Sequence, residues 1–295
     1  MPAARWCFSL SIPAQTVLDL EANGPFDRAG AANLLRAHSL PGVDRVASDG
    51  GRLERLLTAD GAPHPIALEL TETGVRLETA AAVAPAAARL VRDWFDLDSD
   101  LAAIGRVLSR DPVLAPVIAA RPGLRATQYP EVFEAAVMAV LGQQVSVAAA
   151  RTFGARAAAA FGSAGVDGLG TFPGPEALLA PDPEVLRSAI GITNARARTV
   201  RAVATAFAGG LVLERGGDLA EQRRLLLAIP GIGPWTADYL RLRLLGDPDA
   251  FPAGDLVLRR ALGGVTTAGA ETASQAWRPH RAHAAFWLWA STGAV

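Results

Sequence analysis

A chain of 295 residues, 51% hydrophobic and 19% charged, has ample material for a large core and too little charge for a disordered polymer. Its single cysteine, Cys7, excludes an intrachain disulfide, a cysteine zinc site and a four-cysteine iron–sulfur cluster, and a sequence without lysine excludes Schiff-base chemistry on a side-chain amine. The formal net charge is only −1, but residues 187–260 carry 11 Arg against 7 acidic residues while residues 1–90 carry 8 Arg against 10. That asymmetry suits a local polyanion-gripping face, or simply arginine coating amphipathic helices.

The amino terminus, MPAARWCFSLSIPA, has one Arg and a short apolar run that reads as a strand over Trp6–Ile12 rather than as a secretory leader. No apolar run reaches the ~18 residues of a membrane span, so a soluble, cytoplasmic protein is expected. Phe26–His38 predicts a helix. Pro65–Leu70 and Val75–Thr79 predict two strands paired across Thr73-Gly74. Residues 1–90 thus read as a small α+β lobe with an antiparallel sheet.

From Ala84 onward the pattern is helical, punctuated by Pro and Gly. Helices are predicted at Ala84–Phe95, Leu101–Ser109, Pro130–Phe161, Pro175–Leu179, Pro183–Ala189, Asn194–Ala208, Asp218–Ile229, Pro234–Leu245, Leu256–Leu262 and His280–Ser291, with Gly162–Pro175 as a connection. The whole is an α+β protein: the lobe packed on a larger helical region, residues 91–295.

The most informative stretch is IPGIGPWTADYL, Ile229–Leu240. Between two helical runs lies Pro-Gly-Ile-Gly, whose glycines let backbone amides approach an anion closely. Pro234 fits the first turn of the second helix, where its missing N–H costs nothing. Free amides at a helix N-terminus make a phosphate site. Further on, GDLVLRRAL sets Asp255 at the start of another helix, 22 residues beyond Gly233. Position alone marks Asp255 as an N-cap. A carboxylate fixed by helix amides is also what a reaction developing positive charge on a sugar requires, so the two roles are compatible.

These elements, with YPEVFEAAVMAVLGQQVSVAAA (Tyr129–Ala150), DAFPAGDLVLRRAL (Asp249–Leu262) and the Trp-rich AWRPHRAHAAFWLWA, resemble the AlkA-type 3-methyladenine DNA glycosylases of the helix-hairpin-helix superfamily along the whole chain. The resemblance implies a base-excision repair enzyme that flips alkylated purines, of the 3-methyladenine and 7-methylguanine kind, out of double-stranded DNA and leaves an abasic site. It carries the catalytic role onto Asp255, the aromatic base pocket onto Trp235, Tyr239 and Trp289, and the gap-filling wedge onto Gln144. Amides of Gly231, Gly233 and Thr236 are implied as phosphate contacts. Carbonyls of Leu227, Ile229 and Ile232 are implied as ligands of a structural monovalent cation. No other cofactor is expected, and one DNA site per monomer needs no symmetry.

Lyase-type relatives resemble this chain except for a catalytic lysine just after the hairpin. Here that position is Trp235, which implies a monofunctional enzyme using water. Three positions depart from the family pattern: Gln144 replaces an apolar wedge, Leu256 an aromatic residue, and His280 a tryptophan. Leu256 and His280 leave open another lesion, such as uracil, hypoxanthine or an oxidised purine; the other alternative is a non-catalytic DNA-binding module in which Asp255 is only a cap. His280 and His283 have metal-compatible helical spacing, without a carboxylate or cysteine nearby to complete a site.

Overall fold

In a computed structural model, which describes residues 10–59 and 61–293, a five-stranded antiparallel sheet is followed by a helical body. The strands are β1 (Gln15–Glu21), β2 (Asp44–Val46), β3 (Arg52–Ala59), β4 (Ala62–Leu70) and β5 (Gly74–Ala80), ordered β1-β5-β4-β3-β2. The predicted hairpin is present, with Leu70 opposite Val75 across the turn. The predicted first strand is displaced. Leu10–Ile12 lie outside any strand, Trp6–Ser9 lie outside the described residues, and β1 begins after Pro13 and Ala14, whose φ is +44°. Proline removes a ladder donor, so pairing starts beyond it.

One sheet face is covered by α1 (Arg28–His38) and α2 (Ala84–Trp94). Leu53, Leu57, Ile66, Leu68, Val75 and Leu77 meet Ala31, Leu35, Val91 and Trp94 there. Arg55 projects from this face into the interior. Its guanidinium lies 2.8 Å from Glu134 and 3.3 Å from Asp44, and 5.7 Å over the ring of Trp94. Because Glu134 belongs to the helical body, this buried ion group pins sheet to helices; removing one member leaves an uncompensated charge, at ~3–5 kcal/mol.

The body continues through α3 (Leu101–Leu108), α4 (Ala115–Ala120), α5 (Val132–Leu141), α6 (Val147–Phe161), α7 (Pro175–Leu179), α8 (Pro183–Ile190) and α9 (Asn194–Ala208). It ends with α10 (Leu219–Ala228), α11 (Pro234–Arg243), α12 (Leu256–Ala261), α13 (Thr267–Ser274) and α14 (Arg281–Ser291). The single helix expected over Pro130–Phe161 is two, α5 and α6. Gly142 caps the first, Gln144 takes φ +56°, and the Ser146 hydroxyl caps the second by accepting from Ala149 N–H. A Ser N-cap outcompetes continued helical pattern. Among the described residues no helix is long and apolar enough to cross a membrane.

The helices form two cores. One joins α5, α6 and α9 to the hairpin; the other gathers α3, α4, α12 and α14, and Tyr239 packs against both. The seam between them is where the candidate site opens.

Candidate active site and nucleic-acid interface

Helix α10 starts on Asp218, whose carboxylate accepts from Ala220 N–H and Glu221 N–H. It closes into a turn in which Ile232 N–H donates to the carbonyl of Ile229 at 3.0 Å. Gly231 holds φ +91°, and a Cβ there would fall 2.0 Å from Thr199 Oγ1 on α9, so only glycine fits. At Gly233, by contrast, φ is −94° and a Cβ would meet no atom within 4 Å. Gly231 is exposed and Gly233 half-buried, while Thr236 is buried. Pro234 occupies the first turn of α11, as its fixed φ favours. The arginine excess around this hairpin is partly internal. Arg187, Arg215, Arg223, Arg224 and Arg241 sit in ion pairs, whereas the exposed Arg198 and Arg260 have no ion-pair partner among the described residues.

Asp255 caps α12 as its position predicts, Oδ1 accepting from Val257 N–H at 2.9 Å and Leu258 N–H at 3.0 Å. The same oxygen accepts from Trp289 Nε1 at 3.2 Å, and Oδ2 accepts from Trp235 Nε1 at 3.2 Å. Every contact is an N–H donor, the arrangement an acceptor-only carboxylate requires. Oδ1 is used three times and Oδ2 once, so Oδ2 retains accepting capacity.

Trp235, Tyr239, Asp255 and Trp289 therefore converge on one cavity of about 210 Å³. Trp235 and Tyr239 stack at 5.5 Å and 23°, and Trp289 inclines to Tyr239 at 6.2 Å. Helix α14 is buried along almost its whole length, and two contacts fix it: His283 Nε2 with Asp96 Oδ2 at 2.8 Å, and Trp287 Nε1 donating to the carbonyl of Arg121 at 3.0 Å. His283 is thus committed to Asp96, and the described residues offer no cluster of three His, Cys, Asp or Glu for a metal ion.

Gln144 does not line the cavity; its neighbours Gly142 and Val145 do, and Gln144 stands exposed at the turn. Leu256 is likewise exposed, outside the cavity, and His280 precedes α14 as its N-cap. The sequence reading missed four participants. His38, Tyr129 and Arg243 line the cavity, and Gln143 braces the hairpin by donating from Nε2 to Thr236 Oγ1 at 3.0 Å and to the Gly231 carbonyl at 3.2 Å. Tyr129 opens the LGQQVS-bearing motif and Gln143 lies within it, but nothing in their spacing signals these contacts. His38 closes a helix from the sheet side, so only the folded chain brings it to Tyr129.

Residues 17–129 match the AlkA N-terminal domain, and residues 137–278 match the HhH-GPD superfamily base excision DNA repair protein family. The chain is 38% identical to a probable bifunctional transcriptional activator/DNA repair enzyme AlkA of Mycobacterium tuberculosis, over 97% of its own length but 59% of that protein's. It is 31% identical to DNA-3-methyladenine glycosylase 2 of Escherichia coli, covering 91% of this chain and 95% of that one. The 3-methyladenine DNA glycosylase from Archaeoglobus fulgidus shares the fold, with a TM-score of 0.79 at 22% identity over 93% of this chain and 97% of that one. By sequence and by architecture, the chain belongs to the HhH-GPD superfamily of base excision DNA repair proteins, and within it to the AlkA-type 3-methyladenine DNA glycosylases.

Proposed function

We propose that this chain is a monofunctional DNA glycosylase that flips an alkylated purine from duplex DNA, hydrolyses its N-glycosidic bond and leaves an abasic site for base excision repair. The observation that carries the reading is Asp255, held by four N–H donors between two indoles in the wall of an aromatic cavity.

The reaction follows from that arrangement. Extruding the base costs a few kcal/mol of stacking and pairing. Stacking on Trp235, Tyr239 and Trp289 returns part of it, and a cationic methylated purine gains a further ~0.5–2 kcal/mol over aromatic faces. As the bond to the base lengthens, the sugar becomes oxocarbenium-like, and Asp255 Oδ2 either stabilises that charge or orients the attacking water. The methylated base is already cationic while attached to the sugar and departs as a neutral molecule with the bonding electrons, so it needs no acid. With no lysine in the chain, no side-chain amine can capture the sugar, which supports a hydrolytic outcome without lyase cleavage.

DNA would be gripped at the hairpin, with amides of Gly231, Gly233 and Thr236 on backbone phosphates. Carbonyls of Leu227, Ile229 and Ile232 fit a monovalent cation as a set of neutral oxygens; Ile229 O accepts one bond, from Ile232 N–H, and keeps a second lone pair. Such a cation would add positive charge beside the phosphate. Gln144 is proposed to fill the gap left by the flipped base. Its support is positional: it is exposed on left-handed backbone, while Gln143 is tied to the hairpin and its carbonyl accepts from Arg196. Chromosomal DNA as substrate fits a cytoplasmic, nucleoid-associated protein, and one DNA site per chain fits a monomer.

The test is chromatography of free bases released from methylated duplex by wild type and by Asp255→Asn. Release of 3-methyladenine or 7-methylguanine by wild type alone supports the reading. Equal release by both variants removes Asp255 from the mechanism, and duplex binding without release by wild type favours a non-catalytic module.

A further inference from the structure

The base cavity has a second polar end that the excision chemistry does not use. Following contacts along its wall, Asp255 bonds Trp235, Trp235 stacks on Tyr239, and Tyr239 and Tyr129 line the same cavity. The Tyr129 hydroxyl then meets His38 Nδ1 at 3.3 Å, with the two rings edge to face at 6.1 Å. His38 comes from α1, the helix packed on the sheet, so the sheet region supplies part of the pocket. Among the described residues His38 Nε2 has no hydrogen-bond partner.

Of the other polar side chains at the cavity, Ser146 caps α6 and Arg151 donates to the carbonyl of Ser39. Arg243 lies over the rings of Tyr129 at 5.0 Å and Phe286 at 5.3 Å, with its Nε unpartnered among the described residues. Burial, with the Arg243 charge beside it, pushes the His38 pKa down to about 3. Burial, with Tyr239 beside it, pushes the Tyr129 pKa well above that of an ordinary phenol. Both groups are thus neutral, so neither repels a cationic base.

A neutral imidazole has one donor and one acceptor nitrogen, and a hydroxyl is both. If Tyr129 donates to Nδ1, Nε2–H is a donor; if Tyr129 accepts from Nδ1–H, Nε2 is an acceptor. The polarity reverses without a change in net charge when the imidazole gives its Nε2 proton to water and takes one from water at Nδ1, the Tyr129 hydroxyl rotating from donor to acceptor.

We propose that His38 is the specificity-determining residue for the far edge of the flipped base, its Nε2 serving either a 6-amino or a 6-oxo purine through the reversible bond to Tyr129. This deepens the glycosylase reading and rests on it: Asp255 and His38 line one cavity, so we set the glycosidic end of the base at Asp255 and its six-membered ring against His38. A pocket built to hydrogen-bond a substituent discriminates against the analogue lacking it, because its own polar group is then left unpaired.

The experiment is tryptophan-fluorescence titration of the full chain with three free bases: 3-methyladenine (6-amino), 3-methylhypoxanthine (6-oxo) and 3-methylpurine, which has no 6-substituent. Wild type is expected to bind the two substituted bases at least about tenfold more tightly than 3-methylpurine. His38→Leu is expected to bring all three within about twofold, and His38→Gln, whose amide offers both a donor and an acceptor, to restore the difference. A merely structural role would weaken all three bases together and leave the ratio unchanged. If His38→Leu does not fold, His38→Met carries the same comparison. An unchanged ratio in the folded variant, or wild type that does not separate the three bases, overturns the proposal. The titration does not depend on turnover. Asp255-dependent base release with an unaltered ratio would remove only the role of His38, whereas an altered ratio without base release would keep that role and overturn the glycosylase reading.

Discussion

Gln143 Nε2 donates to Thr236 Oγ1 at 3.0 Å, joining the turn that carries Gln144 to the first turn of the helix that carries Trp235. The same amide reaches the Gly231 carbonyl. One side chain therefore sets the distance between the segment proposed to enter the DNA stack and the hairpin proposed to hold its backbone.

Gln143→Ala is expected to lose two hydrogen bonds, at ~0.5–1.5 kcal/mol each. Base release should fall more than stability, since Gln144 is left on unsupported left-handed backbone. Urea unfolding and single-turnover release on methylated duplex check this; wild-type release from a destabilised variant would separate the brace from the chemistry.

The two hairpin glycines should behave differently. Gly231→Ala forces a side chain into left-handed backbone, at ~1–2 kcal/mol, and against Thr199, so it should destabilise the fold. Gly233→Ala meets no protein atom, so stability should change by less than ~1 kcal/mol while duplex affinity falls. Thermal unfolding paired with duplex titration measures both. Wild-type affinity in Gly233→Ala would argue against close phosphate approach there.

Asp255 combines a cap with a proposed catalytic group, and two variants separate them. Asn is as good an N-cap as Asp, so Asp255→Asn should keep the helix cap. It should lose only the bond from Trp235, whose indole N–H would face the amide NH2, at ~0.5–1.5 kcal/mol. Asp255→Ala should lose a further ~0.5–2 kcal/mol with the cap. Both should abolish base release, and calorimetry alongside the release assay tests the contrast.

His38 and Asp44 predict opposing pH effects on stability. The folded His38 pKa is lowered from 6.5 to about 3, so the unfolded chain binds the extra proton between those values and stability is lost as pH falls through that window. Burial raises Asp44 from 3.8 to about 6 despite Arg55, so the folded chain binds the extra proton and stability is lost as pH rises from about 4 to 6. Each full proton is worth ~1.4 kcal/mol per pH unit, and the two partly cancel between about pH 4 and 6. Asp44→Asn should steepen the loss on acidification, and His38→Gln should flatten it. Urea midpoints from pH 4 to 7 would show the two slopes moving in opposite directions, and parallel curves would contradict both assignments.

Features governed by local rules were legible in the sequence. Helices α7 and α9 lie where the pattern puts them, and the hairpin could be read from two glycines and a proline. The approach of Asp255, Trp235, Tyr239 and Trp289 was anticipated through the family resemblance rather than through periodicity. Strand β3 escaped notice because Glu54 and Arg55 interrupt any apolar alternation; both are buried, and the partners that permit it, Arg45, Asp44 and Glu134, come from other elements. The break between α5 and α6 was signalled by Gly142 and Ser146 but masked by the apolar residues around them. His38, Tyr129 and Arg243 could not be read as neighbours, since the pattern of one helix says nothing about which distant ring its last residue will meet.

The cavity is walled by α1 near the beginning of the chain, by α5, α6 and α11 in the middle, and by α14 near the other end. During synthesis no nascent fragment can hold a flipped base until α14 has cleared the ribosome and docked. Incomplete chains would therefore carry the hairpin proposed to hold DNA without the pocket proposed to take the base, and base release becomes a stringent readout of complete folding, more so than duplex binding.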